Sequence, residues 1–375
     1  MSRLNPYSTQ CIQEDDIQAV LEALQSSMLT QGEQTELFEK ELASYLGVKY
    51  VLVFNSATSA LYCAYKAYNL KNSEVITTPI SFVATCNMLL ENDATPIFCD
   101  VKSDGNINEN QIIRLIKPQT KMIVSVDYSG KSVEVEKIRE IAKAHNLIWI
   151  SDSSHSFGGE YKGEKIGTLA DSTIFSFHAL KPITTGEGGA LATNDEEVYN
   201  KAKLIRSHGV IKKALWNSEV EESGFNFRLS DIACALGRSQ LKKIDLFIAK
   251  REEIAQFYDK AFSHNPYFDI SFVPSYIKST RHLYPILLKK NFWCSKEEIF
   301  SAMQKNGLGV QVHYKPIHFY KLYQTNQPLY GAEDFYKAEI SSPCHQKMNL
   351  EDARECVEKM NEIFKNYSTC GASFV

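Results

Sequence analysis

Six short runs of β-branched and other apolar residues recur along the first half of the chain with helix-like segments between them. They are YVLVF (50–54), EVITTP (74–79), TPIFCDV (95–101), KMIVSVDY (121–128), NLIWISD (146–152) and STIFSF (172–177). Runs this short and this continuously apolar read as strands buried on both faces. A parallel neighbour can be reached only through a long crossover, so strands alternating with helices dictate an α/β fold with a mostly parallel central sheet. From Ser239 onward the pattern changes to a long charged amphipathic segment, SQLKKIDLFIAKREEIAQFYDKAF, then HLYPILL, LGVQVHY and further helices. The expected organisation is a large α/β domain over residues 1–240 and a smaller C-terminal α+β domain over 241–375. A length of 375 residues, beyond the usual size of a single core, agrees with two units.

Composition removes several function classes. Charged residues make up 23% and the net charge is -4, so there is no bulk basic excess to hold nucleic acid or an anionic membrane. The amino-terminal MSRLNPYSTQCIQEDDIQAV lacks an apolar leader segment, and no run of about 18 uncharged apolar residues occurs, so a cytoplasmic protein is expected. Nine cysteines, scattered without a C-x-x-C pair, read as reduced core thiols. No zinc-like spacing is present, and His313 and His318, five residues apart without a third ligand, suit a sugar-facing or structural role better than a metal. Neither a complete G-x-G-x-x-G after the first strand nor a G-x-x-x-x-G-K-[ST] occurs, which removes the main support for nicotinamide and P-loop chemistry. The KKIDLFIAKREEI run reads as the solvated basic side of a helix.

In parallel sheets ligands collect at the carboxyl ends of the strands, so the polar residues just past the apolar runs are the informative ones. After YVLVF comes NSATSAL, where Ser56, Thr58 or Ser59 caps a helix or, equally, the helix start presents free N–H groups to a phosphate. After NLIWIS comes DSSHSFGG, which sets Asp152 at a strand end with His155 three residues on; each also suits a cap, a turn or a satisfied local histidine. After STIFSF comes FHALKPITTGEGGA. Here Lys181 stands among Phe177, Ala179, Leu180, Pro182 and Ile183, with no acidic residue until Glu187. A lysine enclosed by apolar neighbours loses proton affinity, and the neutral amine is a nucleophile toward aldehydes. The glycines of TTGEGGA permit close backbone approach there or a tight turn. A Schiff-base cofactor needs such an amine, a phosphate anchor and an acid to keep its pyridine nitrogen protonated, and the three strand ends offer one of each.

The segments FNSATSAL, TPISFVATCNM, SDSSHSFG, FSFHALKPITTGEGGA, RSHG, GFNFRLSDIACALGRSQL and VHYKPIH resemble, in order and over nearly the whole chain, the motifs of the DegT/DnrJ/EryC1/StrS family of sugar aminotransferases. The resemblance implies the type I, aspartate aminotransferase-like fold of pyridoxal 5'-phosphate (PLP) enzymes. It also implies a UDP-sugar substrate, glutamate as amino donor, and a homodimer with shared active sites. Position by position, it implies that Lys181 forms the Schiff base and Asp152 pairs with the pyridinium nitrogen. Thr58, Ser59 and Ser176 would hold the phosphate, with Asn226 from the neighbouring subunit, while Phe82 stacks on the ring and His155 packs near it. Substrate contacts would come from Tyr7, the turn Ser27, Met28, Leu29 and Thr30, Ala57, Ser176, Asn226, and the stretch His313, Tyr314, Lys315 and Pro316. Ser27 departs from a long cationic residue found in a relative, which removes one charge contact to the diphosphate.

Two alternatives stay open at this level. One is amination of a different 4-keto-6-deoxy sugar, of the D-xylo series. The other is a non-catalytic member of the fold that binds a sugar nucleotide. Family dehydratases carry histidine at the Schiff-base position, so Lys181 argues against that chemistry, although His178 lies close by.

Overall fold

All six apolar runs form strands in the computed structural model, which describes residues 5–368. They are β1 Tyr50–Phe54, β2 Glu74–Thr77, β3 Thr95–Phe98, β4 Thr120–Val126, β5 Ile148–Asp152 and β6 Ser172–Ser176. A seventh, β7 Gly189–Thr193, completes the sheet in the order β1-β7-β6-β5-β4-β2-β3. β7 runs antiparallel to both its neighbours and every other adjacent pair is parallel. The sequence GALAT carries little strand signal, since glycine and alanine are poor strand formers. Its five residues are nevertheless all buried, held by pairing on both sides.

Burial on both faces explains why the runs are apolar throughout rather than alternating. Val51 and Val53 of β1 and Phe175 of β6 face one core, with Phe38, Leu42 and Leu46 from helix α2 (Glu33–Leu46). Leu52, Phe54 and Ile174 face the other, against Ala60, Leu61 and Ala64 from helix α3 (Ala57–Ala67). Each large side chain buried in this way contributes on the order of 1.5–3 kcal/mol. Helix α1 (Glu14–Gln25) packs on helix α4 (Asp231–Leu241), beside α2.

Glycine is required where α3 begins. A Cβ on Gly189 would lie 2.4 Å from the Ala57 nitrogen and 2.7 Å from the Ser56 carbonyl carbon, both backbone atoms that cannot swing away. Gly189→Ala is therefore expected to lower stability by about 1–3 kcal/mol, read as a lower urea midpoint at unchanged slope. Gly130, with φ +91°, plays a similar part where the chain crosses between units, since a Cβ there would meet Thr280 Oγ1 at 2.0 Å.

A second, antiparallel sheet follows, with β8 Phe268–Ile270, β9 Tyr284–Leu288 and β10 Glu339–Ser342 in that spatial order. Its core holds Phe268, Ile286 and Ile340 with Met360 and Phe364 from the last helix. The long charged amphipathic segment from Ser239 spans two helices, because α4 stops at Leu241 and α5 runs from Ile244 to Phe262. Ile244, Phe247 and Ile248 of α5 sit in the large-sheet core, whereas Ile254, Tyr258 and Phe262 sit in the second. The proposed division after residue 240 falls in the last turn of α4, just ahead of this shared helix. The solvated basic face expected for the run needs correction at Arg251, which is 0% exposed.

Eight cysteines are free thiols, six of them buried, and Cys370 lies outside the described residues. Among the described residues no helix is long and apolar enough to cross a membrane.

Candidate active site

Strand register brings the three expected strand ends together. Asp152, the last residue of β5, pairs with Ile174 of β6, placing Ser176 two residues further along the neighbouring strand. Gly189 pairs with Ser176 on one side and Phe54 on the other, so the start of α3 arrives beside the end of β6. Ser176 and Asp152 are both buried.

Ser56 caps α3, its hydroxyl accepting from the Ser59 N–H at 3.1 Å. Ser59 Oγ donates to Asn55 Oδ1 at 2.6 Å, so its hydroxyl is already engaged. Capping by Ser56 leaves the half-buried Thr58 outside the cap, at the mouth of the helix next to Ala57. A helix N-terminus carries unsatisfied N–H groups and positive potential, which suits an anion.

Lys181 lies in the turn after β6, its N–H donating to the His178 carbonyl at 2.9 Å. The residue is half-buried, yet its amine is enclosed by protein and stands 3.3 Å from His282 Nε2. Burial pushes its pKa down to about 8, with Arg251 adding to the fall and Asp152 opposing it. At pH 7 roughly a tenth of such amines are neutral, about 300-fold more than for an ordinary lysine. Asp152 Oδ2 accepts from Thr85 Oγ1 at 2.7 Å, and Oδ1 accepts from the Ser154 hydroxyl and N–H at 2.6 and 3.2 Å. Three donors on one buried carboxylate fix its plane.

Around the amine stand three histidines. His155 is buried, its Nε2 2.9 Å from the Tyr314 hydroxyl and its Nδ1 without a partner among the described residues. The His282 ring lies 4.5 Å from that of His155, and its Nδ1 also lacks a partner among the described residues. His313 Nδ1 is 2.9 Å from Ser341 Oγ, and its ring packs edge-on against Tyr7 at 5.0 Å. Burial above all, and then the Lys181 charge, holds His155 and His282 well below the usual histidine range and His313 down to about 3. The imidazoles are therefore neutral at physiological pH.

Phe82 is 61% exposed, its ring 6.3 Å from that of Tyr314. Lys315 points outward over the Tyr320 ring, whereas Pro316 is buried. His318 does not share the place of His313; it packs against Phe98 and Phe319, with Glu333 at 3.8 Å.

Two expected groups lie on the surface of the chain. Asn226 is exposed, bridges to Ser207, and its carbonyl accepts from Asn55 Nδ2 at 3.4 Å, just ahead of α3. Ser27, Met28, Leu29 and Thr30 are exposed as well, and their turn pairs with the start of α4 through Thr30 and Ser230.

Sequence reasoning missed His282, Arg251 and Thr85. His282 precedes an apolar strand that carries no motif; Thr85 lies within the segment TPISFVATCNM, in a short helix (Ala84–Leu90), but was given no role there; Arg251 was hidden in a run of surface-like charges.

Comparison with known proteins agrees with this geometry. Residues 10–361 match the DegT/DnrJ/EryC1/StrS aminotransferase family. The UDP-4-amino-4,6-dideoxy-N-acetyl-beta-L-altrosamine transaminase of Helicobacter pylori is 51% identical over 367 residues, covering 96% of this chain and 98% of the relative. The crystal structure of Helicobacter pylori PseC, an aminotransferase involved in the biosynthesis of pseudoaminic acid, superposes with a TM-score of 0.94 at 50% identity, covering 97% and 100% of the two chains. The PLP form of Spr1654 from Streptococcus pneumoniae, a putative sugar aminotransferase, gives 0.91 at 26% identity, covering 97% and 99%. The fold is the α/β fold of PLP-dependent aminotransferases with a mainly parallel sheet, and the chain belongs to the DegT/DnrJ/EryC1/StrS aminotransferase family.

Proposed function

We propose that the protein is a PLP-dependent aminotransferase of pseudaminic acid biosynthesis. It moves an amino group from glutamate to C4 of UDP-2-acetamido-2,6-dideoxy-β-L-arabino-hexos-4-ulose, forming UDP-4-amino-4,6-dideoxy-N-acetyl-β-L-altrosamine. The observation that carries this reading is an enclosed lysine amine, with its pKa near 8, beside a buried carboxylate at the adjoining strand end. The residues present fit the cofactor. Lys181 offers a partly neutral amine to its aldehyde, and Asp152 a fixed carboxylate to its ring nitrogen. Ser176 and Thr58 offer hydroxyls to its phosphate beside the start of α3, and His155 Nδ1 is an orphaned polar atom in the same place. When bound, PLP supplies an electron sink for the carbon that exchanges its amino group.

The chain's own residues do the rest. Lys181, once free, takes the proton from the α carbon of glutamate in the first half-reaction and delivers a proton to one face of the sugar C4 in the second, which sets the configuration of the new amine. Asp152 sets its fixed carboxylate against the ring nitrogen. Phe82 covers the ring, and Tyr7, Ala57, His313, Tyr314, Lys315 and Pro316 line the sugar side. Ser27 to Thr30 and Asn226 complete the site of a neighbouring subunit in a cytoplasmic homodimer, in keeping with their exposure on their own chain.

Incubation with glutamate and either the L-arabino or the D-xylo UDP-4-keto-6-deoxy-N-acetylhexosamine, followed by NMR of the products, tests the reading. Amination of the L-arabino sugar to the altrosamine is expected. Conversion of the D-xylo sugar alone would move the enzyme to another sugar series, and inertness toward both would remove the nucleotide-sugar assignment.

A further inference from the structure

The hydrogen-bond partner of the Lys181 amine comes from beyond the large sheet. His282 lies two residues ahead of β9, is 3% exposed, and places Nε2 3.3 Å from Lys181 Nζ. Its backbone is held with equal care. The His282 carbonyl accepts from Arg251 Nη1 at 3.2 Å, and the next N–H, that of Leu283, donates to the Ser129 carbonyl.

Arg251 is the unusual element. Fully buried, it directs Nη1 to the carbonyls of Arg281, His282 and Cys344 at 3.3, 3.2 and 2.7 Å, and Nη2 to Ser8 Oγ at 3.2 Å. Ser8 Oγ in turn donates to the Leu180 carbonyl at 2.8 Å, the peptide immediately before Lys181. One guanidinium thus grips the backbone of His282 at one end and, through a single hydroxyl, the backbone of Lys181 at the other. Its acceptors are neutral, so its charge stays in the interior, an arrangement that costs stability and is not needed merely to fill space.

We propose that Lys181 and His282 work as a pair kept in register by Arg251 through Ser8, with His282 a further catalytic residue that receives the lysine amine whenever that amine is free. The inference rests on the aminotransferase reading for its kinetic consequence only. A free lysine has four rotatable bonds and wanders unless something holds it. Neutral His282 accepts one N–H of the amine at Nε2, and the amine's lone pair stays available for the reacting carbon. The pair forms by hydrogen bonding, and no proton passes to the imidazole. Arg251 and Ser8 are positioning residues. The charged and titratable groups facing the amine are Asp152 at the end of β5, Arg251 on α5, His155 after β5, His282, and His313 from the stretch after the short strand Leu308–Gly309.

Two readouts on full-length protein test the pairing. The first is the pH dependence of Lys181 acetylation by trace acetic anhydride in protein freed of cofactor, measured by mass spectrometry, with a wild-type midpoint near 8. A hydrogen bond from the ammonium is stronger than one from the neutral amine, so His282→Phe should lower the midpoint by about half a unit or more. His282→Gln, which keeps an acceptor, should restore it. Arg251→Met removes a cation that lowers the amine's proton affinity and also loosens the pair, two opposing effects on the midpoint, so its test is the rate below. The second readout is the rate of the glutamate half-reaction in loaded protein, which should fall about tenfold or more in His282→Phe and severalfold in Ser8→Ala and Arg251→Met, at unchanged cofactor content. Should Arg251→Met fail to fold, Ser8→Ala still breaks the tether without touching the charge. An unshifted midpoint in His282→Phe, with rates within about twofold of wild type in both His282→Phe and Ser8→Ala, would overturn the pairing. A wild type without any glutamate half-reaction would instead sink the aminotransferase reading, and the labelling midpoints would still decide on the pair.

Discussion

Lys181→Ala is expected to lower turnover by at least about 10⁴-fold, because it removes both the nucleophile that holds the cofactor and a proton-transfer group worth about 10²–10⁴-fold by itself. The protein should nonetheless fold. In the folded state the Lys181 pKa is about 8, below its ordinary value of 10.5, so between those pH values the unfolded chain binds more protons. The stability of the wild type therefore rises with pH across that window, and below pH 8 it carries the full cost of an enclosed ammonium. Lys181→Ala lacks this cost. Its urea midpoint relative to wild type should be most favourable below pH 8, and the advantage should shrink toward pH 10.5. An inactive variant that is also grossly destabilised at pH 7 would show that the lysine holds the fold rather than the chemistry.

Asp152→Asn is expected to cost about 10²–10³-fold in turnover, the range found when one preorganised electrostatic contact is removed. The substitution keeps the shape of the side chain and removes its charge. Thr85, Ser154 Oγ and Ser154 N–H all donate to the carboxylate, so an amide would set its NH₂ against at least one donor. Rotation of a hydroxyl relieves part of that conflict, and a stability loss of about 1–2 kcal/mol is expected. Turnover should fall much further than the change in the denaturation midpoint explains. Equal activity in the two proteins would mean that the ring nitrogen has no need of the charge.

The parts of the fold legible in the sequence are those set by burial on both faces. Val51 to Phe54 and Met122 to Val124 face the two cores alternately, which leaves an unbroken apolar run as their signature. β7 was invisible because its strand state comes from its two neighbours and not from GALAT itself. The glycine reading at TTGEGGA left two possibilities, and at Gly189 the close contact with Ser56 and Ala57 meets the first of them. Lys181, Asp152 and the start of α3 could be grouped in advance because a parallel sheet delivers its carboxyl ends to one edge, whereas Ser176 came from the resemblance alone. His282 could not, since the crossing of residues 279–283 over Ser129, Gly130 and His155 rests on backbone contacts that leave no motif. Arg251 was misread for a related reason. Its partners are three carbonyls and a serine from segments far apart in the chain, where a charged partner nearby in sequence would have marked it. Asn226 and the Ser27–Thr30 turn could be named only through family resemblance, since they are exposed and follow none of the six apolar runs.

Visible absorbance of the PLP-loaded protein tests the role of Lys181 most directly. A yellow band should be present in the wild type, bleach on addition of glutamate, and return when the L-arabino ketosugar is added, while Lys181→Ala should lack the wild-type band at equal protein concentration. A wild type whose spectrum ignores glutamate, or a band that persists unchanged in Lys181→Ala, would contradict the role given to this lysine.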